Sequence, residues 1–295
     1  MAASWFAAVA IGLFAASAAQ AGAVTNWNFT LDSGFTAFAP SPGADGSANN
    51  VLLSGSNGII ATTAGPVDFS TIGNVPSTLT WGLDIGSGRS SLVLSGTNGR
   101  VSGSLTTDGG AVNTSTVTHN NIRTGNPTLT SATLFEVLTL DPEGPGAVAG
   151  PSDAFQLPAL VFPIHFLETP NGGTCVVASP IPCNDIFVID ELASGFDSAD
   201  NSFNENFSYM GHTYDAKILL SGLGPLSDAA CAAVLGPGST GCIGFTTVER
   251  QSNVFQASFA IFDPPNPPEV PEPASLALFS LGLAGLGLIR RNRAR

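Results

Sequence analysis

Side chains able to do chemistry are sparse in this chain of 295 residues, which holds only three histidines, His119, His165 and His212. His119 closes a polar, strand-like run in Thr118-His119-Asn120-Asn121. His165 lies in the apolar Pro163-Ile164-His165-Phe166, and His212 follows Gly211 as a turn residue. A structural role is expected for each. The short polar residues of Thr118-His119-Asn120-Asn121 suit a strand end, where such side chains cap a turn by bonding to backbone. The sequence contains no H-E-x-x-H, no G-x-S-x-G and no phosphate-binding loop, the patterns that announce metalloprotease, serine-hydrolase or nucleotide chemistry. No spacing favours a Ser-His-Asp triad, which is in any case a matter of geometry. No catalytic residue is assigned, and the expectation is that the protein is not an enzyme.

Oxygen donors are denser in one place. Asp197, Asp200, Asn201, Asn204 and Glu205 lie within nine residues of one another, and Ca²⁺ takes six to eight oxygens, often from one flexible loop. The spacing is not that of an EF-hand, so these five are a candidate Ca²⁺ site set against the simpler reading of a solvated acidic turn. No other cofactor is expected. Trp81, Tyr209 and Tyr214 can stack on sugar rings or pack in a core. The four cysteines allow three pairings. Proximity favours Cys175 with Cys183 and Cys231 with Cys242, each closing a short loop and each contributing roughly 2.5–3 kcal/mol by loop entropy. The absence of C-x-x-C spacing and of a nearby histidine argues against a metal at these thiols.

The elements that must position these residues are strands. Charged residues make up only 11% of the chain while Gly and Pro number 34 and 21, a composition of short strands and many turns. Windows rich in β-branched and aromatic residues fall at 79–83, 91–94, 112–118, 128–140, 160–167, 186–189, 207–209, 217–220, 243–248 and 254–262, bounded by turn formers. Near-alternation in Phe255-Gln256-Ala257-Ser258-Phe259-Ala260-Ile261 predicts a half-buried antiparallel strand. One helix is expected at 228–235, with Ser227 as N-cap and Gly236 as stop. The fold class is therefore all-β, an antiparallel β-sandwich spanning residues 22–263. It is either one large sandwich or two small ones with a seam at 141–151, a loop holding three Pro and three Gly.

Both ends have the composition of addresses. Residues 5–19 are an unbroken run of apolar and small residues followed by Ala19-Gln20-Ala21, the pattern of a secretory signal peptide over residues 1–21. An exported chain also suits paired cysteines. At the other end a Pro-rich linker, 264–273, leads through Pro271-Glu272-Pro273 to an apolar run at 274–289 and then to Arg290, Arg291, Arg293 and Arg295. As a helix, that run is about 24 Å long at ~1.5 Å per residue, short of a ~30 Å hydrocarbon core. It suits transient holding in a membrane, with the arginines on the cytoplasmic side and the body outside. Between residues 22 and 268, 20 acidic side chains face five basic ones, a net charge of −15. Such a surface repels phosphate backbones, so no nucleic-acid partner is expected.

Pro271-Glu272-Pro273, the short hydrophobic helix and the terminal arginine cluster together resemble the PEP-CTERM sorting signal. That resemblance implies a Gram-negative exported protein whose partner is an exosortase that cuts near Pro-Glu-Pro, with Pro271, Glu272, Pro273, Arg290 and Arg291 as the sorting residues. It also implies an inner-membrane-held precursor that is later found at the cell surface or outside the cell. Exosortase hosts often make exopolysaccharide or biofilm matrix, so the function it implies is that of a surface or matrix structural protein. A carbohydrate- or Ca²⁺-dependent binding module at the cell surface is the alternative. Thr118-His119-Asn120-Asn121 is similar to the signature of a Thr-His-x-Asn subgroup. Three further stretches resemble the same subgroup: Trp81-Gly82 ahead of Ser90-Ser91-Leu92, Glu168-Thr169-Pro170-Asn171 leading to Pro182-Cys183-Asn184-Asp185-Ile186-Phe187-Val188, and Gly241-Cys242-Ile243-Gly244-Phe245-Thr246-Thr247. The subgroup's name carries no mechanism.

Overall fold

The computed structural model describes residues 22–40, 52–54, 76–97, 99–125, 128–144, 147, 154–189, 196–197 and 199–264. The expected signal peptide, Pro271-Glu272-Pro273, Arg290, Arg291 and the hydrophobic tail lie outside these residues. The body is an all-β sandwich of two antiparallel sheets, with strands joined as the pleat and turn chemistry of the sequence require.

One sheet runs in the order β14 (Gly224–Pro225), β15 (Ile243–Thr247), β10 (Asp185–Ile189), β9 (Leu160–Leu167), β7 (Leu129–Glu143), β1 (Asn26–Pro40) and β5 (Arg100–Thr106), and β8 (Phe155–Gln156) also pairs with β7. The other runs β11 (Phe196–Asp197), β12 (Ser202–Tyr209), β13 (His212–Leu220), β16 (Gln251–Phe262), β6 (Val112–Asn121), β4 (Ser90–Leu94), β3 (Thr78–Trp81) and β2 (Leu52–Ser54). Strands from before and after the 141–151 loop share both sheets, so residues on either side of it build one sandwich.

Alternation puts one face of each strand inside. Phe35, Leu134, Phe162, Ile164 and Phe187 from the first sheet meet Leu79, Trp81, Leu92 and Leu94 from the second. A second group joins Trp27, Phe29, Leu31 and Leu140 to Phe207, Tyr214, Phe259 and Ile261. Trp27 makes edge contacts to Phe155, Phe207, Tyr209 and Tyr214. Trp81 and Tyr214 are thus core residues, and the half-buried Tyr209 stacks on Phe155. None of the three forms an open sugar platform.

The helix α1 (Asp228–Leu235) falls where the sequence places it, with Ser227 accepting from the Ala230 amide and Gly236 ending it at φ 108°. It covers the outer face of β10, where Ile186 and Val188 are buried against Ala230, Cys231 and Cys242. β10 is therefore buried on both faces, which explains its continuous apolar run. Both disulfides form as proximity suggests, Cys175–Cys183 and Cys231–Cys242. The second ties α1 to the start of β15; the first closes the connection between β9 and β10.

Candidate functional site

Register brings together what the sequence scatters. In the first sheet Ile186 pairs with Leu167 and Asp185 pairs with Thr247. Glu168, one residue past β9, therefore falls beside Asp185 at the start of β10, and Thr247 ends β15 on the other side. Glu249 follows two residues later, in the turn that carries the chain across to β16 in the facing sheet. Asn121, the last residue of β6, faces this turn through the pairing of Asn121 with Gln251. Single ligand oxygens of Glu168, Asp185 and Glu249 all lie within 4.8 Å of one another. Asp185 and Glu249 are buried and Glu168 is half-buried.

The walls of this acidic end come from the same stretches. The Trp81 indole N–H donates to Glu168 Oε2 at 3.5 Å. His119 stacks on Trp81 at 5.4 Å and 16°, with Phe166 and Phe187 edge-on. Its Nδ1 pairs with Thr247 Oγ1 at 3.0 Å. Burial holds the His119 imidazole down at about 3, so the ring is neutral. Asp185 Oδ1 accepts from the Thr169 backbone N–H at 2.8 Å and from its hydroxyl at 3.2 Å. The Cys175–Cys183 disulfide secures the loop that carries these groups. Gly82, just past Trp81, is required by geometry. Its φ is +85°, and a Cβ there would stand 1.9 Å from Thr124 Oγ1, a contact no side chain tolerates.

Period 2 explains the tetrapeptide at the end of β6. His119 and Asn121 point inward and are fully buried. Thr118 and Asn120 take the other face, where the Asn120 amide donates to Ser91 Oγ and its carbonyl accepts from Ser252 Oγ. The motif thus continues the strand and lines the acidic end, and does not cap a turn.

The electrostatics are those of crowded carboxyls. Burial, then the charges of Asp185 and Glu249, push Glu168 up to about 9. Burial pushes Asp185 up to about 7, offset in part by hydrogen bonds from Thr169 and Asn121. Burial raises Glu249 as well, against the pull of Arg250 and Arg123. Both arginines are exposed, and among the described residues no cation lies within ion-pairing distance of the three carboxyls. Such a constellation can share protons or hold a metal ion.

The acidic loop singled out by sequence density is built otherwise. Asp200 pairs with Lys217 and accepts from Ser202 Oγ at 2.5 Å. Asp197 accepts from the Ala199 amide at 2.9 Å, and Asn201 takes φ 56° in the turn. Asn204 and Glu205 are neighbours on β12, where successive side chains leave opposite faces, and both are exposed. Asp197, Asp200, Asn201, Asn204 and Glu205 thus shape a hairpin, and among the described residues the carboxylates that converge are those of Glu168, Asp185 and Glu249. Their sequence separation hid them. The usable signal was the short Cys175–Cys183 loop, which lies between the end of β9 and the start of β10.

The fold and the acidic end define a disulfide-stapled β-sandwich whose compact unit ends at Asp263. Residues 269–293 of the chain match the PEP-CTERM protein-sorting motif. The match includes Pro271, Glu272, Pro273, Arg290 and Arg291, and it marks the chain as an exported protein processed by an exosortase. No curated protein matches the chain.

Proposed function

We propose that the protein is a structural component of the cell surface or extracellular matrix, associated with exopolysaccharide, and that its body carries no catalysis. The sorting motif at residues 269–293 is the observation that carries this reading. Two features support it. The acidic body, with five basic side chains between residues 22 and 268, stays soluble and repels anionic polymers other than those bridged by cations. The histidine nearest to a carboxylate cluster, His119, is fully buried and held neutral, out of reach of a substrate. We also read the four stretches around Trp81, His119, Asp185 and Thr247 as those of the Thr-His-x-Asn subgroup.

The test has two arms. Intact-mass analysis of the protein from strains with and without a working exosortase is expected to show loss of the segment beyond Pro-Glu-Pro only in the former. Native fractionation is expected to place the processed protein with cell envelope or exopolysaccharide. An unprocessed tail in the exosortase-positive strain contradicts the sorting arm, and a fully free protein contradicts the matrix arm.

A further inference from the structure

We propose that Glu168, Asp185, Glu249 and Asn121 form a Ca²⁺ site that locks together the end of the sandwich where β15 crosses to β16. This goes beyond the sorting and matrix reading and does not depend on it.

The donors are all oxygen, the preference of a hard cation. Five buried oxygens there have no hydrogen-bond partner: Glu168 Oε1, Asp185 Oδ2, both oxygens of Glu249 and Asn121 Oδ1. Buried polar atoms are nearly always satisfied, so a group of this size at one place calls for an occupant. Asn121 is the independent indication. It is fully buried, it carries no charge of its own, and its Oδ1 has no hydrogen-bond partner. Its two bonds to Thr247 are long, 3.4 Å each, and an amide rotation exchanges its oxygen and nitrogen without changing its shape.

The spacing suits calcium. Ligands at ~2.3–2.6 Å from a common Ca²⁺ lie at most ~5 Å apart, and the three carboxylates lie within 4.8 Å. Five side-chain oxygens, completed by water or backbone carbonyls, reach the coordination number Ca²⁺ takes. Mg²⁺ holds its water shell and demands a near-ideal octahedron, which side chains from a loop, a strand start, a turn and the facing sheet do not offer. The charge argues the same way. Three carboxyls in one buried place, with only the exposed Arg123 and Arg250 near, repel one another, and a divalent cation relieves that repulsion. A bound ion would tie the β9–β10 loop, the β15–β16 turn and β6 of the other sheet to one point.

The full-length chain, stripped with EGTA, is titrated with CaCl₂ and separately with MgCl₂ by calorimetry, and its thermal unfolding is followed in each. We expect one Ca²⁺ per chain and a melting point higher by roughly 5–10 °C in millimolar Ca²⁺ than in EGTA. Glu249→Gln, in a surface-proximal turn, is expected to weaken Ca²⁺ at least about tenfold while keeping the EGTA-state fold. Asp200→Asn in the hairpin leaves binding unchanged. Tb³⁺ is expected to luminesce when Trp81 is excited, and Trp81→Phe to remove most of that signal. No calcium heat together with coincident melts, an equal response to Mg²⁺, unchanged binding by Glu249→Gln, or loss of binding in Asp200→Asn each overturns the proposal.

Discussion

Glu136 is a buried acid of β7, and the hydroxyls of Ser33 and Ser115 donate to its Oε1 at 3.0 and 3.1 Å. It borders an apolar cavity of ≈ 60 Å³ lined by residues such as Leu134, Phe187 and Phe255. Glu168, Asp185 and Glu249 crowd one end of the same sandwich, with four carboxyl oxygens lacking any donor. Burial raises the pKa of the carboxyl in both places. The responses differ because the neighbourhoods differ. One buried carboxyl is accommodated by two hydroxyls, one from each sheet. Three within 4.8 Å exhaust that remedy, since each added charge raises the others. A sandwich core therefore tolerates a lone acid as packing, whereas a cluster of acids requires a partner.

The largest effect expected from breaking this contrast comes from the staple. Replacing Cys175 and Cys183 by serine removes roughly 2.5 kcal/mol of loop-closure stabilisation and frees the segment that sets Glu168 against Asp185. Urea unfolding is expected to shift to lower denaturant, and the curves in Ca²⁺ and EGTA to converge. A variant that keeps its full calcium response would show that the disulfide does not hold the site.

Gly82→Ala comes next. A methyl group placed 1.9 Å from Thr124 Oγ1 at φ +85° is expected to cost about 1–2 kcal/mol. Because Gly82 follows Trp81, the loss should appear together with weaker Tb³⁺ sensitisation. An unchanged melting point would mean that the Trp81 wall yields more easily than its contacts imply.

The smallest effect belongs to Glu136→Gln, and it appears as a pH slope. The folded-state pKa of Glu136 lies above its ordinary value of 4.5. Its stabilising contribution is therefore complete below that value and is lost as pH rises through the folded one. In calcium-saturated buffer the wild type is expected to lose stability from pH 5 to pH 8 more steeply than Glu136→Gln, and the two are expected to bind Ca²⁺ alike. Parallel pH profiles would show that Glu136 has found other compensation.

Much of the fold was legible in the sequence. Strands β3, β4, β6, β7, β9, β10, β12, β13, β15 and β16 each overlap a window of β-branched and aromatic residues, and α1 carries its cap and stop. The strand β1, the fifteen residues at 26–40, was not legible from composition because Asn26, Asn28, Asp32 and Gly34 alternate with its apolar residues. Its inward face, Trp27, Phe29 and Leu31, alternates as cleanly as any in the chain, and tertiary pairing with β5 and β7 overrides the poor local propensity. The strand β5 has the same difficulty, with Ser102, Gly103 and Ser104 at its centre.

The acidic end was the harder case. A density of oxygen donors along the chain pointed to Asp197 through Glu205, but Asp197 and Asp200 take partners within their own hairpin and Asn204 and Glu205 are exposed on β12. Glu168, Asp185 and Glu249 come from three separated segments that only antiparallel register aligns. Single-sequence spacing detects local sites such as a hairpin or a metal loop. It has no access to a row of residues across three strands unless something such as the Cys175–Cys183 loop fixes the pairing first.

The most direct measurement is a crystal structure of the full-length protein grown in CaCl₂, with anomalous data for the bound ion. The account predicts one peak at the acidic end, with oxygens of Glu168, Asp185, Glu249 and Asn121 at roughly 2.3–2.6 Å from it. Density showing those oxygens bonded only to one another or to water, with calcium absent or held at Asp197 and Asp200, would contradict it.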